Sequence, residues 1–121
     1  MTTTKTVTVR ERLEDLVAAD LAENGLTLVL SDGADTDGDA WSRATDQHGP
    51  QVVNIHFQDG DWTTMRYRPW GEGNWEPATA LKVSYPYGDT AAGEFIAATL
   101  DLHGFPTTWD GDGESAIFIR L

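Results

Sequence analysis

The sequence contains no cysteine, which excludes disulfide bonds, thiolate nucleophiles and thiolate metal sites. It also has no apolar run long enough to cross a bilayer, and the segment from Met1 to Lys5 lacks the apolar core of a signal peptide. Both absences favour a cytoplasmic protein. With 121 residues, of which 40% are hydrophobic and 10% aromatic, the chain predicts one folded domain over residues 1–121, with a flexible N-terminus at 1–6.

Basic residues are scarce. Lysine and arginine together number 8 against 20 acids, which gives a net charge of −12, and Lys5 and Lys82 are the only lysines. A high-salt cytoplasm, a GC-rich genome that favours Asp and Arg over Lys, or selection for binding a basic partner would each produce this balance. An acidic surface repels nucleic acid and acidic membranes and attracts basic protein surfaces. We therefore expect no direct binding of nucleic acid or membranes.

The acids are concentrated in one part of the chain, because eight carboxylates and no lysine or arginine lie between residues 14 and 39. Four of them fall on the solvent side of a predicted helix, where charges are expected in any soluble protein. The other four crowd one predicted loop between strands, where their repulsion would oppose a purely structural turn. They form the first candidate binding site: Asp32, Asp35, Asp37 and Asp39.

Two helices are predicted. The first opens with a capping box at Thr8 and ends before Gly25, and the second begins at Asp89 or Thr90 and ends before Gly104. In each case the glycine precedes an apolar residue, as in the Schellman motif. The apolar positions of the first helix share one face: Val9, Leu13, Leu16, Val17 and Leu21.

The rest of the chain predicts strands. They cover Leu26 to Leu30, Trp41 to Thr45, Gln51 to Gln58, Asp61 to Tyr67 or Arg68, Ala78 to Tyr85, Pro106 to Trp109 and Ser115 to Leu121. Asp59-Gly60 predicts a type I′ hairpin. Since no long parallel crossover is evident, we expect an α+β fold in the order α-β-β-β-β-β-α-β-β. Its single antiparallel sheet would have about five to seven strands, with two helices packed on one face.

The segment from Leu81 to Leu121 carries Tyr-Pro-Tyr-Gly-Asp before a helix and His-Gly-Phe-Pro-Thr-Thr-Trp-Asp-Gly-Asp before Ala-Ile-Phe-Ile. This C-terminal third resembles the end of an uncharacterised actinobacterial and phage protein family, whose members end strand, Tyr-Gly, helix, Gly-Leu, strand, Trp-Asp-Gly, strand. It departs from that pattern at Phe105-Pro106, where the family carries Leu and a β-branched or polar residue. The resemblance implies a GC-rich bacterial or phage origin and nothing about chemistry.

No motif predicts a metal, a cofactor or a catalytic centre. The segment from Asp35 to Asp39 differs from a calcium loop because glycine occupies position 4 instead of position 6, so we interpret it as a solvated loop. The glycine spacing between Asp110 and Glu114 suits a hairpin turn. The three histidines, His48, His56 and His103, lack mutual ligand spacing. A site assembled from distant residues remains open, and an enzyme ranks third among the function classes.

A second candidate site lies on the strand that follows Asp59-Gly60. Its alternate residues would share one face, where tryptophan and arginine have the composition of an interface hot spot. The site consists of Trp62, Arg66, Arg68 and Trp70, with His56 on the neighbouring strand. Alternatively, the tryptophans cover the open side of the sheet and the arginines pair with nearby carboxylates, which would contribute little.

Two functions fit these features. The first is a non-enzymatic inhibitor of the phage anti-defence or toxin-immunity type. Its acidic surface would occupy the basic groove of a nuclease, a toxin or a nucleic-acid-binding complex. The second is a housekeeping or chaperone-like binding module that uses the Trp/Arg strand face, with its acidity set by genome or high-salt background. The oligomeric state is not predictable from these residues.

Overall fold

The structure is a computed structural model that describes residues 8–33, 36–69 and 72–121. It contains three helices and eight strands within these residues. Helix α1 is continuous through three segments, Val9–Arg12, the π-helical turn Leu13–Val17 and Ala18–Glu23, while α2 is Asp37–His48 and α3 is Thr90–Leu102. The strands are β1 Thr27–Gly33, β2 Val52–Gln58, β3 Gly60–Asp61, β4 Arg66–Tyr67, β5 Glu76–Pro77, β6 Ala80–Ser84, β7 Thr107–Thr108 and β8 Ile117–Arg120.

The strands form two sheets. A five-stranded sheet has the order β1-β2-β6-β8-β7, and a small antiparallel sheet has the order β3-β4-β5. In the larger sheet β1 and β2 are parallel and the other neighbours are antiparallel. The predicted α+β class is confirmed. The prediction of a single antiparallel sheet is wrong, because α2 forms the crossover that a parallel pair requires.

Helix α2 replaces the strand predicted from Trp41 to Thr45, and that prediction is wrong. The side chain of Thr36 accepts a hydrogen bond from the Asp39 N–H at 3.1 Å. Asp37 and Asp39 lie in the first turn, where the positive end of the helix dipole stabilises carboxylates. The buried residues of α2 are only Ala40 and Ala44, so its apolar periodicity is too weak to identify a helix in the sequence.

Two helices pack on one face of the large sheet, as predicted. Leucine and isoleucine side chains from α1 and α3 join the core that is built on β2, β6 and β8. The central strands contribute Val53, Ile55, Leu81, Val83, Ile117 and Ile119 to it. Helix α2 lies on the opposite face, chiefly over β1 and β2. On that face, β6, β8 and β7 are not covered by any described helix.

Helix α1 follows its predicted start but not its full apolar face. The Thr8 hydroxyl accepts a hydrogen bond from the Glu11 N–H at 3.1 Å, as the capping box requires. The Ala18 N–H donates to the Leu13 carbonyl, which is the i→i+5 bond of a π turn. Leu13, Val17 and Leu21 are buried in the core, whereas Leu16 is left 47% exposed.

Both predicted Schellman motifs are present. The Leu26 N–H donates to the Leu21 carbonyl at 3.0 Å, and the Phe105 N–H donates to the Leu100 carbonyl at 2.9 Å. The glycine before each has a positive φ, 76° and 83° respectively. These turns direct the chain from α1 into β1 and from α3 towards β7.

Asp59-Gly60 makes a turn but not the predicted hairpin between β2 and the following strand. Asp59 has a φ of 54°, and a Cβ atom at Gly60 would overlap the Phe57 ring. After this close approach the chain leaves the large sheet, and β3 pairs with β4. The predicted strand from Asp61 to Arg68 is broken by a turn at residues 62–65.

Candidate functional site

The four acids of the first candidate site do not share one loop. Asp32 lies at the end of β1, whereas Asp37 and Asp39 belong to the first turn of α2. Asp35 lies outside the described residues. The Asp37 carboxylate is 3.5 Å from Lys82 Nζ, across the uncovered face of the sheet. The helix therefore accounts for two of the acids, and an ion pair partly neutralises one of them.

The second candidate site is also divided. Trp62 is 4% exposed and belongs to the core, where its ring lies 5.4 Å from that of Phe57 and its Nε1 donates to the Ser31 carbonyl at 3.2 Å. Arg66 is exposed on β4, and the Arg68 guanidinium lies 5.6 Å from the centre of the Trp75 ring. Trp70 lies outside the described residues. The prediction that Trp62 and the arginines share a strand face is wrong, because the turn at residues 62–65 ends the alternation.

His56, the last predicted site residue, belongs to a polar layer on the α2 side of the sheet. Its Nδ1 lies 2.9 Å from Ser31 Oγ. The Asn54 amide donates to the same Ser31 Oγ at 3.1 Å and to the Val29 carbonyl at 3.0 Å. These contacts pair the Asn54 amide nitrogen and the Ser31 hydroxyl, whereas the buried Asn54 Oδ1 has no hydrogen-bond partner among the described residues. They also hold the His56 ring in a defined position at the edge of the uncovered face.

The row of side chains that contains His56 crosses all five strands of the large sheet. Strand pairing places Ser31 beside His56, His56 beside Lys82, Lys82 beside Phe118 and Phe118 beside Thr108. Neighbours in a sheet register project from the same face. Helix α2 covers the β1 end of this row, and the remaining part forms the floor of an open groove.

We call this open part the sheet groove, and it consists of two hollows that share Lys82 and Phe118. The first hollow has a volume of about 300 Å³ and is also lined by Asp37, His56 and Tyr67. The second has a volume of about 430 Å³ and is also lined by Thr108, Trp109, Asp110, Ser115 and Ala116. Phe118 is 40% exposed between the hollows, so an aromatic ring lies open to solvent at the centre of the groove.

The loop at the far end of the groove is held by its own hydrogen bonds. Trp109 Nε1 donates to the carbonyls of Asp112 and Ser115 at 3.1 and 3.2 Å, and the Tyr85 hydroxyl donates to the same two carbonyls at 3.2 and 2.7 Å. The Asp110 carboxylate accepts from the Asp112 N–H at 2.9 Å and from the Ser115 hydroxyl at 3.1 Å. The indole and the carboxylate therefore have fixed positions in the second hollow.

Burial raises the pKa of Tyr85 above its ordinary value of 10.0. The hydrogen-bonding contact with Trp109 acts in the opposite direction, while nearby Tyr87, Asp112 and Asp110 raise the pKa further. The phenol therefore keeps its proton at neutral pH and remains a donor to the loop carbonyls.

Comparison with protein-family models, with curated proteins and with solved structures gives no match. The resemblance of the C-terminal third to an actinobacterial and phage family therefore stays a prediction. Within the described residues, no group of three or more His, Asp or Glu side chains is arranged to hold a metal ion. None of the described helices is both long enough and apolar enough to cross a bilayer.

The sheet groove is absent from the sequence predictions, apart from Asp37 and His56. The sequence predicts Trp109, Asp110 and Phe118 in a hairpin and Lys82 in a strand, without indicating that they share a site. Alternation along β8 indicates that Phe118 points away from its apolar neighbours Ile117 and Ile119, and this was the one local signal available. The pairing of β6 with β8, which puts Lys82 beside Phe118, has no local signal.

Proposed function

We propose that the protein is a small binding module that presents an acidic surface, with the sheet groove at its centre, to a basic surface of a partner protein. The observation that carries this proposal is the uncovered row formed by Lys82 and Phe118. A 40% exposed phenylalanine in a concave site is typical of an apolar anchor point, and the bordering polar side chains would orient a partner.

Charge supports a basic partner. The net charge is −12, and the groove ends at a carboxylate on either side, Asp37 in the first hollow and Asp110 in the second. The cation between them, Lys82, is already paired with Asp37. A field of this sign accelerates association with positively charged surfaces and opposes contact with nucleic acid itself.

An antagonist of a nuclease, a toxin or a nucleic-acid-binding complex is the form of this function that the charge favours, because such partners carry basic grooves. The alternative is a housekeeping or chaperone-like module that uses a Trp/Arg strand face. The antagonist is preferred because Trp62, one of the residues of that face, is buried in the core.

Selection from a phage-displayed library of random twelve-residue peptides on the immobilised protein tests the proposal. At low salt we expect enrichment of peptides that combine basic with apolar residues, and we expect their association rates to fall as salt rises. Enrichment of acidic or uncharged peptides would contradict the proposal.

Two exposed apolar residues provide a matched pair of variants. Phe118→Ser should weaken binding of the selected peptides by about tenfold, the effect expected for a modest hot-spot residue. Leu102→Ser removes a side chain that is 76% exposed at the end of α3 and should leave binding unchanged. Equal binding by wild type and Phe118→Ser would show that the groove is not the docking site.

A further inference from the structure

We infer that the second hollow of the sheet groove binds an arginine side chain of the partner protein. This inference rests on the proposed function and specifies which basic residue the groove recognises. The hollow brings together an indole, Trp109, and a carboxylate, Asp110, beside the exposed ring of Phe118. These are the two chemical groups that a guanidinium uses at once, stacking on the first and pairing with the second.

The indole is prepared for stacking because its polar atom is already used. Trp109 Nε1 donates to two backbone carbonyls, at 3.1 and 3.2 Å. One end of the ring packs against Gly93 of α3 and the edge of the ring contacts Tyr85. A ligand in the hollow would meet the remaining apolar part of the indole and not its N–H group. A planar, weakly hydrated guanidinium is better suited to such a surface than the compact, strongly hydrated ammonium of lysine.

The carboxylate is prepared for pairing because its orientation is fixed. Each oxygen of Asp110 accepts one hydrogen bond from its own loop, from the Asp112 N–H at 2.9 Å and from the Ser115 hydroxyl at 3.1 Å. An ionised carboxylate offers about four lone-pair sites, so each oxygen retains one for a ligand. The two remaining sites match the two parallel N–H donors of a guanidinium.

The cation that lines the hollow, Lys82, does not cancel this attraction. Its ammonium lies 3.5 Å from the Asp37 carboxylate, on the side of the first hollow. The positive charge of Lys82 is thus compensated by a neighbour, whereas the described contacts of Asp110 are only with neutral donors. The net charge of −12 adds a field that favours a cationic ligand.

A titration followed by nuclear magnetic resonance tests the inference with N-acetyl-L-arginine methylamide as the probe. We expect saturable shifts of the Trp109 indole N–H and of the residue 108–118 amides, with millimolar affinity. The corresponding blocked lysine should bind more weakly, and blocked norleucine should produce no saturable shift. Saturable shifts confined to another surface would overturn the inference.

Two variants separate charge from loop structure. Asp110→Asn should weaken binding of the blocked arginine about fivefold, the upper end for an exposed ion pair. Ser115→Ala removes one of the two hydrogen bonds that orient Asp110 but keeps the charge, so it should cost less affinity than Asp110→Asn, about twofold. If Ser115→Ala loses as much affinity as Asp110→Asn, loop order and not charge governs binding, and the inference fails.

The two proposals fail in different ways. If basic peptides are selected but the blocked arginine leaves the Trp109 indole unperturbed, the arginine site is wrong and the binding function stands. If no basic peptide is selected, the proposed function itself is wrong.

Discussion

At the scale of single residues, Tyr85 couples the core to the groove. Its ring is fully buried, and its hydroxyl ends at the two carbonyls that shape the Asp110 to Ser115 loop. Its ring centre lies 5.0 Å from that of Tyr87 and 6.4 Å from that of Trp109. One side chain thus connects the packed face of the sheet to the loop that positions the indole.

The alkaline stability of the protein should depend on Tyr85. Since burial raises the folded-state pKa above 10.0, the unfolded chain releases this proton at a lower pH than the folded protein. The contribution is fully present below pH 10.0 and is lost as pH rises through the folded-state pKa, so the free energy of unfolding should decrease in that range. Tyr85→Phe should cost about 1–2 kcal/mol at pH 7 and make this alkaline decrease shallower.

Urea denaturation at pH 7 and at steps between pH 9 and 11.5 measures both effects. Tyr87→Phe is the matched control, because Tyr87 is 42% exposed, and it should change stability little. An alkaline decrease of unchanged steepness in Tyr85→Phe would show that another group causes it.

At the scale of elements, α2 is the part of the fold that most affects the site. It makes the β1–β2 pair parallel, covers the β1 end of the polar row, and places Asp37 opposite Lys82. Its start depends on a Thr-x-x-Asp sequence, in which the Thr36 hydroxyl accepts from the Asp39 N–H at 3.1 Å. If this acidic segment were a loop, its stability would not depend on the Thr36 hydroxyl as a helix cap.

Removing the cap therefore tests whether the acidic segment is a helix. Thr36→Ala should lower the free energy of unfolding by about 1 kcal/mol, because one N–H of the first turn loses its acceptor. Thr36→Ser keeps the hydroxyl and should be close to wild type. Urea denaturation compares the two variants, and equal stability of Thr36→Ala and wild type would favour the loop predicted from the sequence.

A contact between α1 and α3 shows how distant elements are joined. Arg12 Nη2 donates to the His103 carbonyl at 2.6 Å, and its guanidinium lies 4.3 Å from the centre of the Phe105 ring. The His103 ring nitrogen Nε2 lies 2.6 Å from an Asp20 carboxylate oxygen. His103 is the C-cap residue of α3, and its contact with α1 has no signal in the sequence.

At the scale of the whole molecule, charge should act on stability and on binding in opposite directions. A net charge of −12 destabilises the compact state through self-repulsion, and salt screens that repulsion. The thermal midpoint should therefore rise between about 0.01 and 0.5 M sodium chloride, a range in which the Debye length falls from about 30 Å to a few ångströms. Over the same range, association with basic peptides should slow.

Differential scanning calorimetry and stopped-flow association measure the two responses on the same protein. A thermal midpoint that falls with sodium chloride would indicate that attractive surface ion pairs outweigh repulsion. In that case the acidic residues would stabilise the fold through ion pairs, and binding would not come at the expense of stability.

Several elements were predictable because their signals are local. The caps at Thr8 and Asp89, the Schellman turns at Gly25 and Gly104, and the alternation in the strands each depend on residues within one turn or one strand. These local signals were sufficient to predict α1, α3, the main strands and the C-terminal hairpin. Helix α2 was missed because an Ala40/Ala44 stripe carries little hydrophobic contrast, although its Thr-x-x-Asp cap was visible.

The sheet groove, in contrast, depends on contacts between residues that are distant in the sequence. Lys82 and Phe118 are 36 positions apart in the sequence, and they become neighbours only when β6 pairs with β8 in a particular register. Trp62 was predicted for the surface and is buried, because a turn at residues 62–65 sends the chain away from the strand that alternation implied. Amino-acid order along the chain dictates the acidity, the caps and the apolar faces through short-range chemistry. Which side chains share the uncovered face depends on strand pairing and on where α2 packs, and both are settled by contacts between distant residues.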